Sequence, residues 1–137
     1  MNNYIAGCCS ILIYSDVVSV DEISKIMQTE PTNRVKKGEL LSRKLNTYAP
    51  RNGWFYKKEF NDLECIDCAM QHIAEVCIKA IDEINNSKYL DVHLRCFVNS
   101  ELAQVGYVFS PKTLFLLEKI NHGLEITFFS CGGIEDV

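Results

Sequence analysis

Apolar residues recur along this chain in two rhythms, one of period two and one of three to four. From Tyr4 to Tyr14 nearly every position is apolar, on both alternating sets. That pattern predicts a central strand covered on both faces. Cys8 and Cys9 then point to opposite faces, because side chains alternate along a strand. Leu90, Val92, Leu94, Cys96 and Val98 alternate with Asp91, His93, Arg95 and Phe97. A strand with one buried and one polar face follows. Trp54 to Phe60, Val105 to Phe109 and Leu124 to Phe129 read as further strands.

The longer rhythm marks three helices. Ser19, Val20, Asp21 and Glu22 fit a capping box, in which the Ser19 hydroxyl accepts from the Glu22 N–H and the Glu22 carboxylate returns to the Ser19 N–H. Val18 and Ile23 occupy the staple positions, and the helix runs to about Gln28 before Pro31 stops it. Asn61, Asp62, Leu63 and Glu64 open a second helix to about Asn85, with Ile66, Met70, Ile73, Cys77, Ile81 and Ile84 on one stripe. Ser110 caps and Pro111 opens a third, to about Asn121, which Gly123 is expected to close in the left-handed conformation.

Thr32 to Pro50 is the least periodic stretch. It predicts an edge strand around Leu40, with Asn52 and Gly53 as a turn, so that residues 38–60 form an irregular hairpin. The whole order predicts one α+β domain over 1–137. A mostly antiparallel sheet carries helices on one face, as a ferredoxin-like βαββαβ core with a C-terminal βαβ-like extension.

Length and composition agree with one domain. A chain of 137 residues buries about two thirds of its unfolded surface and needs no metal or disulfide to fold. No apolar run reaches the ~18 residues of a membrane span. The N-terminus lacks the basic segment of a secretion signal, so a cytoplasmic location is expected. The seven cysteines, an odd number spread through apolar segments, fit a reducing compartment better than a disulfide framework. A formal net charge of −4 disfavours nucleic acid, whose affinity comes from neutralising phosphates. It suits a basic protein partner, since opposite fields speed encounter.

Candidate chemistry is sparse. Cys65 and Cys68 form a CxxC at a helix start after a strand, where a redox pair is expected to sit. The aromatic–Cys–Gly–Pro context and the strand order of thioredoxin-like enzymes are missing, so ordinary helix residues are the default reading. Cys65, Cys68 and His72 share a helix flank, but a structural zinc needs four ligands, usually from two clustered pairs, and no second pair follows. His93 lies between Asp91 and Arg95, as on a salt-bridged strand face. His122 suits a helix C-terminus. Arg34, Lys36, Lys37, Arg43 and Lys44 precede Tyr48, Arg51, Trp54, Phe55 and Tyr56. Such interleaving can hold nucleic acid, yet an exposed hairpin whose lysines protect an edge strand is the plainer reading.

Glu30, Pro31 and Thr32 after a short helix, then Lys37, Gly38 and Glu39, then Trp54 opening a strand, form a distinctive set. Between an N-terminal apolar strand and a long helix, it resembles a bacterial family catalogued as domain of unknown function 4279. The resemblance implies no activity, cofactor or catalytic residue. In structural terms, Pro31 fixes the helix exit, Gly38 allows a bend, Glu39 pairs with Lys37, Arg34 or Arg51, and Trp54 anchors the irregular loop.

The function expected is a protein-binding module and not an enzyme, most concretely an immunity protein that neutralises a bacterial toxin by direct binding. Small size, acidity and the lack of a catalytic set motivate it. A small-ligand-binding or regulatory domain is the alternative, and a cysteine-dependent enzyme the second alternative. Candidate binding residues are Thr32, Arg34, Lys37, Glu39 and Trp54 in one groove, with Asp91 and Glu101 as acidic surface groups. The expected partner is a basic toxin domain, with no nucleic acid, membrane, cofactor or metal. An exposed edge strand can also support a homodimer.

Overall fold

The computed structural model describes residues 5–61, 65–101 and 106–130. The elements follow as β1 (Ile5–Ser15), α1 (Val20–Met27), β2 (Asn33–Val35), β3 (Leu40–Ser42), β4 (Thr47–Tyr48), β5 (Asn52–Asn61), α2 (Ile66–Ile78), α3 (Ile81–Asn86), β6 (Asp91–Ser100), α4 (Pro111–Glu118) and β7 (Leu124–Ser130).

The main sheet has the order β2-β5-β1-β6-β7, and β3 pairs with β4 in a separate two-stranded ribbon. β1 is central and antiparallel to both neighbours, while β6 and β7 are parallel. The segments β1, α1, β2, β5, α2 and β6 thus run in βαββαβ order, with β1 inserted between β5 and β6. α4 and β7 extend the sheet beyond β6 as a βαβ unit.

One core lies between the sheet and the helices. Cys9, Ile11 and Ile13 of β1, Trp54 and Phe60 of β5, and Val92, Leu94, Cys96 and Val98 of β6 face it. Val20, Ile23 and Met27 of α1, the Met70–Ile73–Cys77 stripe of α2, Ile84 of α3 and Ile120 just after α4 close it. Each fully buried Ile or Met contributes about 2 kcal/mol through apolar burial.

Among the described residues all helices pack on this one side, and the cover expected on the second face of β1 is not found. Cys8, Ser10, Leu12 and Tyr14 point the other way and are only half-buried. The run reads as covered on both faces because Leu12 and Tyr14 are apolar, yet on this face they are only half-buried.

Local chemistry sets the helix ends. Ser19 Oγ accepts from the Glu22 N–H at 3.2 Å, but the return contact of the capping box runs between Ser19 Oγ and Glu22 Oε1 at 3.4 Å. Gln28, in the left-handed conformation, closes α1 three residues ahead of Pro31. The second helix begins later than expected, with Cys65 as its N-cap, and breaks near Ala80 without glycine or proline. The expected start at Asn61 is the last residue of β5, and residues 62–64 lie outside the described residues. After the break Asn85 is free to pin the end of α4. Its Nδ2 donates to Lys119 O at 2.9 Å, and its Oδ1 accepts the Asn121 N–H at 2.8 Å.

The irregular stretch differs most from expectation. The edge strand is Asn33–Val35, paired with β5, whereas Leu40 belongs to the ribbon. Asn52 and Gly53 are strand residues, so the turn expected there falls earlier. Residues 106–109 are not strand, and Val105 lies outside the described residues. α4 stops at Glu118, and Gly123 does not take the left-handed conformation expected of it. A change from Lys119 to 3₁₀-type bonds back to Leu116 and Leu117 ends the helix instead.

Candidate functional site

Two surfaces gather the chemistry, and the expected groove is only part of one. Thr32 works on the backbone of the sheet edge. Its N–H and Oγ1 both donate to Phe55 O, and Oγ1 accepts the Lys57 N–H at 3.1 Å. It extends the pairing of the short β2 by one residue. Lys37 donates its N–H to Asn52 Oδ1 at 2.9 Å. Gly38, with φ of 86°, makes the turn that a side chain would strain, and Glu39 accepts the Lys36 N–H at 3.0 Å. The expected pairing of Glu39 with Lys37, Arg34 or Arg51 is thus replaced by a backbone contact. Trp54 is sealed from solvent, with Nε1 donating to Ser24 Oγ, so it lines no groove.

Arg34 and Glu39 do share a depression of about 430 Å³ with Ser19, Asp21, Lys36 and Asn52. Arg34 faces Asp21 at 3.6 Å, both well exposed. Such a pair is weak in water. Glu101 is exposed, far in sequence from the others, and Asp91 belongs to the second surface.

That second surface is the face of the sheet that no described helix covers. Pairing places Phe55 beside Leu12, and His93 on Leu12's other flank. Phe97 lies beside Cys8 and beside Thr127. Phe97 is 44% exposed and Phe129, on the same face of β7, 56%. Around them stand Lys57, Glu59, Arg95 and Glu125, with Arg95 and Glu125 3.6 Å apart across the parallel pair.

One end of this face is walled by the β3–β4 ribbon. Tyr14, Val35, Leu41, Ala49, Pro50, Arg51, Gly53 and Phe55 enclose a mostly apolar cup of about 240 Å³. Tyr14 meets Phe55 edge to face at 5.5 Å and His93 at 5.9 Å. The Arg51 guanidinium lies 4.7 Å over the Tyr14 ring and donates to Asp91 Oδ2 at 2.9 Å. Asp91 Oδ1 is 3.0 Å from His93 Nε2. The Arg51 hydrogen bond, helped by His93, holds the Asp91 carboxyl below its usual range. An apolar wall beside an oriented guanidinium is binding chemistry, suited to a flat apolar body with an acceptor group. Sequence reasoning named Asp91 and set Arg51 and Phe55 in one basic–aromatic stretch, but missed Tyr14, because only strand register brings it to Arg51.

The histidines have structural partners. His72 Nε2 is 2.7 Å from the Tyr56 hydroxyl. His122 Nε2 is 2.7 Å from Ile84 O, so it serves the end of α3 and not that of its own preceding helix. Among the described residues no three His, Cys, Asp or Glu side chains group to hold a metal ion, and no helix is long and apolar enough to cross a membrane.

These features define a two-layer α+β domain whose sheet, among the described residues, is covered by helices on one side. The chain belongs to the family described as Domain of unknown function (DUF4279), whose model matches residues 3–128. No curated protein and no solved structure matches it.

Proposed function

We propose that this chain is a protein-binding module that uses the sheet face no described helix covers, and that its partner is a basic bacterial toxin domain neutralised by direct binding. The observation that carries the reading is the row of apolar side chains on this face, half-buried at Leu12 and Phe55 and exposed at Phe97 and Phe129. Exposed aromatics ringed by charges are the composition of a binding patch. The net charge of −4 supports a basic partner. Asp91 and Glu101 serve as acidic groups that steer encounter.

The test is capture of partners on the tagged chain, followed by Phe97→Asp. A stoichiometric basic partner that Phe97→Asp releases, at unchanged melting temperature, supports the reading. A partner retained by Phe97→Asp and by Phe129→Asp removes the sheet face from it. Charge reversal at Asp91 or Glu101 should slow association at low salt only.

A second reading rests on the cup, where Arg51 stacked on Tyr14 favours a small aromatic or apolar carboxylate. A ligand that raises the melting temperature of the wild type, but not of Arg51→Ala, supports it.

A further inference from the structure

Among the described cysteines, Cys65 and Cys68 are the exposed pair. Cys8 is half-buried, and Cys9, Cys77 and Cys96 are buried. The two exposed sulfurs lie 3.3 Å apart, in hydrogen-bonding contact. Cys65 is also the N-cap of α2, and its Sγ accepts the Cys68 backbone N–H at 3.3 Å. We propose that Cys65 and Cys68 are a redox-active dithiol, which closes to an intramolecular disulfide by exchange with a low-molecular-weight disulfide of the glutathione class. This site is independent of the sheet face.

The geometry is suited to closure. The sulfurs need to approach by only about 1.3 Å to reach bonding distance. Cys65 Sγ accepts the Cys68 backbone N–H at the start of α2, which holds that sulfur beside its partner. The hydrogen bond between the two sulfurs holds the Cys68 thiol above its ordinary range, so its proton is the later to leave. One sulfur is thus placed to attack and the other to follow.

The steps balance. The Cys65 thiolate attacks one sulfur of the small disulfide, forming a mixed disulfide and expelling one small thiolate, which takes up the proton that Cys65 released. Cys68 then loses its proton and attacks the Cys65 sulfur, which expels the second small thiol. The protein gives up two electrons and two protons, and the small disulfide is reduced to two thiols.

The experiment equilibrates the full chain with glutathione and glutathione disulfide in varied ratio. Remaining thiols are blocked with N-ethylmaleimide after an acid quench, and each cysteine is read by peptide mass. The expected result is a single two-electron transition at Cys65 and Cys68, with little mixed disulfide at any ratio. Cys65→Ser keeps an oxygen N-cap and should hold its melting temperature, yet accumulate a glutathione adduct on Cys68. Cys68→Ser should accumulate one on Cys65. Each adduct should exceed the wild-type mixed disulfide at least about tenfold, because the second thiol is present at high effective concentration only in the wild type. If both thiols stay free in excess glutathione disulfide, or wild type and single variants accumulate the same adducts, the proposal fails.

Discussion

Trp54 Nε1 donates to Ser24 Oγ at 3.1 Å, and this bond ties the second strand in the sheet order, β5, to the middle of α1. The indole is fully buried and stacks on Tyr56, with ring centroids 6.2 Å apart. Tyr56 in turn stacks on His72 of α2 at 5.7 Å. A short column of rings therefore joins β5 to both helices that cover it.

Truncating the first ring should be costly for folding. Trp54→Ala removes a large buried side chain and should lose about 3–5 kcal/mol in urea unfolding. Ser24→Ala leaves the indole N–H without its acceptor and should lose about 1–3 kcal/mol. A Trp54→Ala protein of unchanged unfolding midpoint would return Trp54 to the surface of a groove.

The case of Trp54 also shows what could be read from the chain. Helix starts at Ser19 and Ser110 were legible, because capping is local chemistry written in adjacent residues. The alternation of β6 was legible because one face meets water and the other the core. The βαββαβ order followed from these segments. By contrast, three-residue β2 has too few positions for any period, and the break at Ala80 carries no breaker residue. The cup depends on Tyr14, Arg51 and Asp91, which come from three separate segments and meet only through register.

Gly7 offers a sharper packing test. A Cβ there would collide with Phe97 O and lie 2.8 Å from the Phe60 ring. The nearest obstacle is backbone of the neighbouring strand, which cannot swing aside as a side-chain tip can. Gly7→Ala should therefore cost about 3 kcal/mol or more, read as a fall in the unfolding midpoint. A neutral result would mean that β1 and β6 are spaced more widely at this register.

Asp67 links two helix starts. Its Oδ1 accepts the Ser110 N–H at 2.8 Å, and Ser110 Oγ in turn caps α4. The Ser110 hydrogen bond lowers the Asp67 pKa from its ordinary value. A carboxyl lowered in the folded state stabilises fully above its unfolded pKa, about 3.9. That stability is lost as pH falls through the folded value. Asp67→Asn keeps an acceptor oxygen but has no proton to gain. Its stability at neutral pH should drop modestly, and its loss between pH 5 and pH 2 should be smaller than the wild type's. Parallel acid limbs in the two proteins would show that Asp67 contributes nothing to them.

Burial should divide the six described cysteines by reactivity. Cys9 and Cys96 sit directly across the β1–β6 pair with sulfurs 3.7 Å apart, and the hydrogen bond to Cys96, with burial, holds Cys9 as the neutral thiol. Burial alone pushes Cys77 up to about 12. The thiolate is the form that reacts, and it forms as pH rises through the pKa. At pH 8 only about one Cys77 in ten thousand carries charge, even before access is considered. Native protein treated with iodoacetamide at pH 8 and mapped by mass should therefore be labelled first at Cys65 and Cys68, and more slowly at half-buried Cys8. Cys9, Cys77 and Cys96 should be labelled only when urea unfolds the chain, at a rate that tracks opening of the core. Rapid labelling of Cys77 without denaturant would mean that α2 leaves the sheet readily, which its buried stripe does not allow.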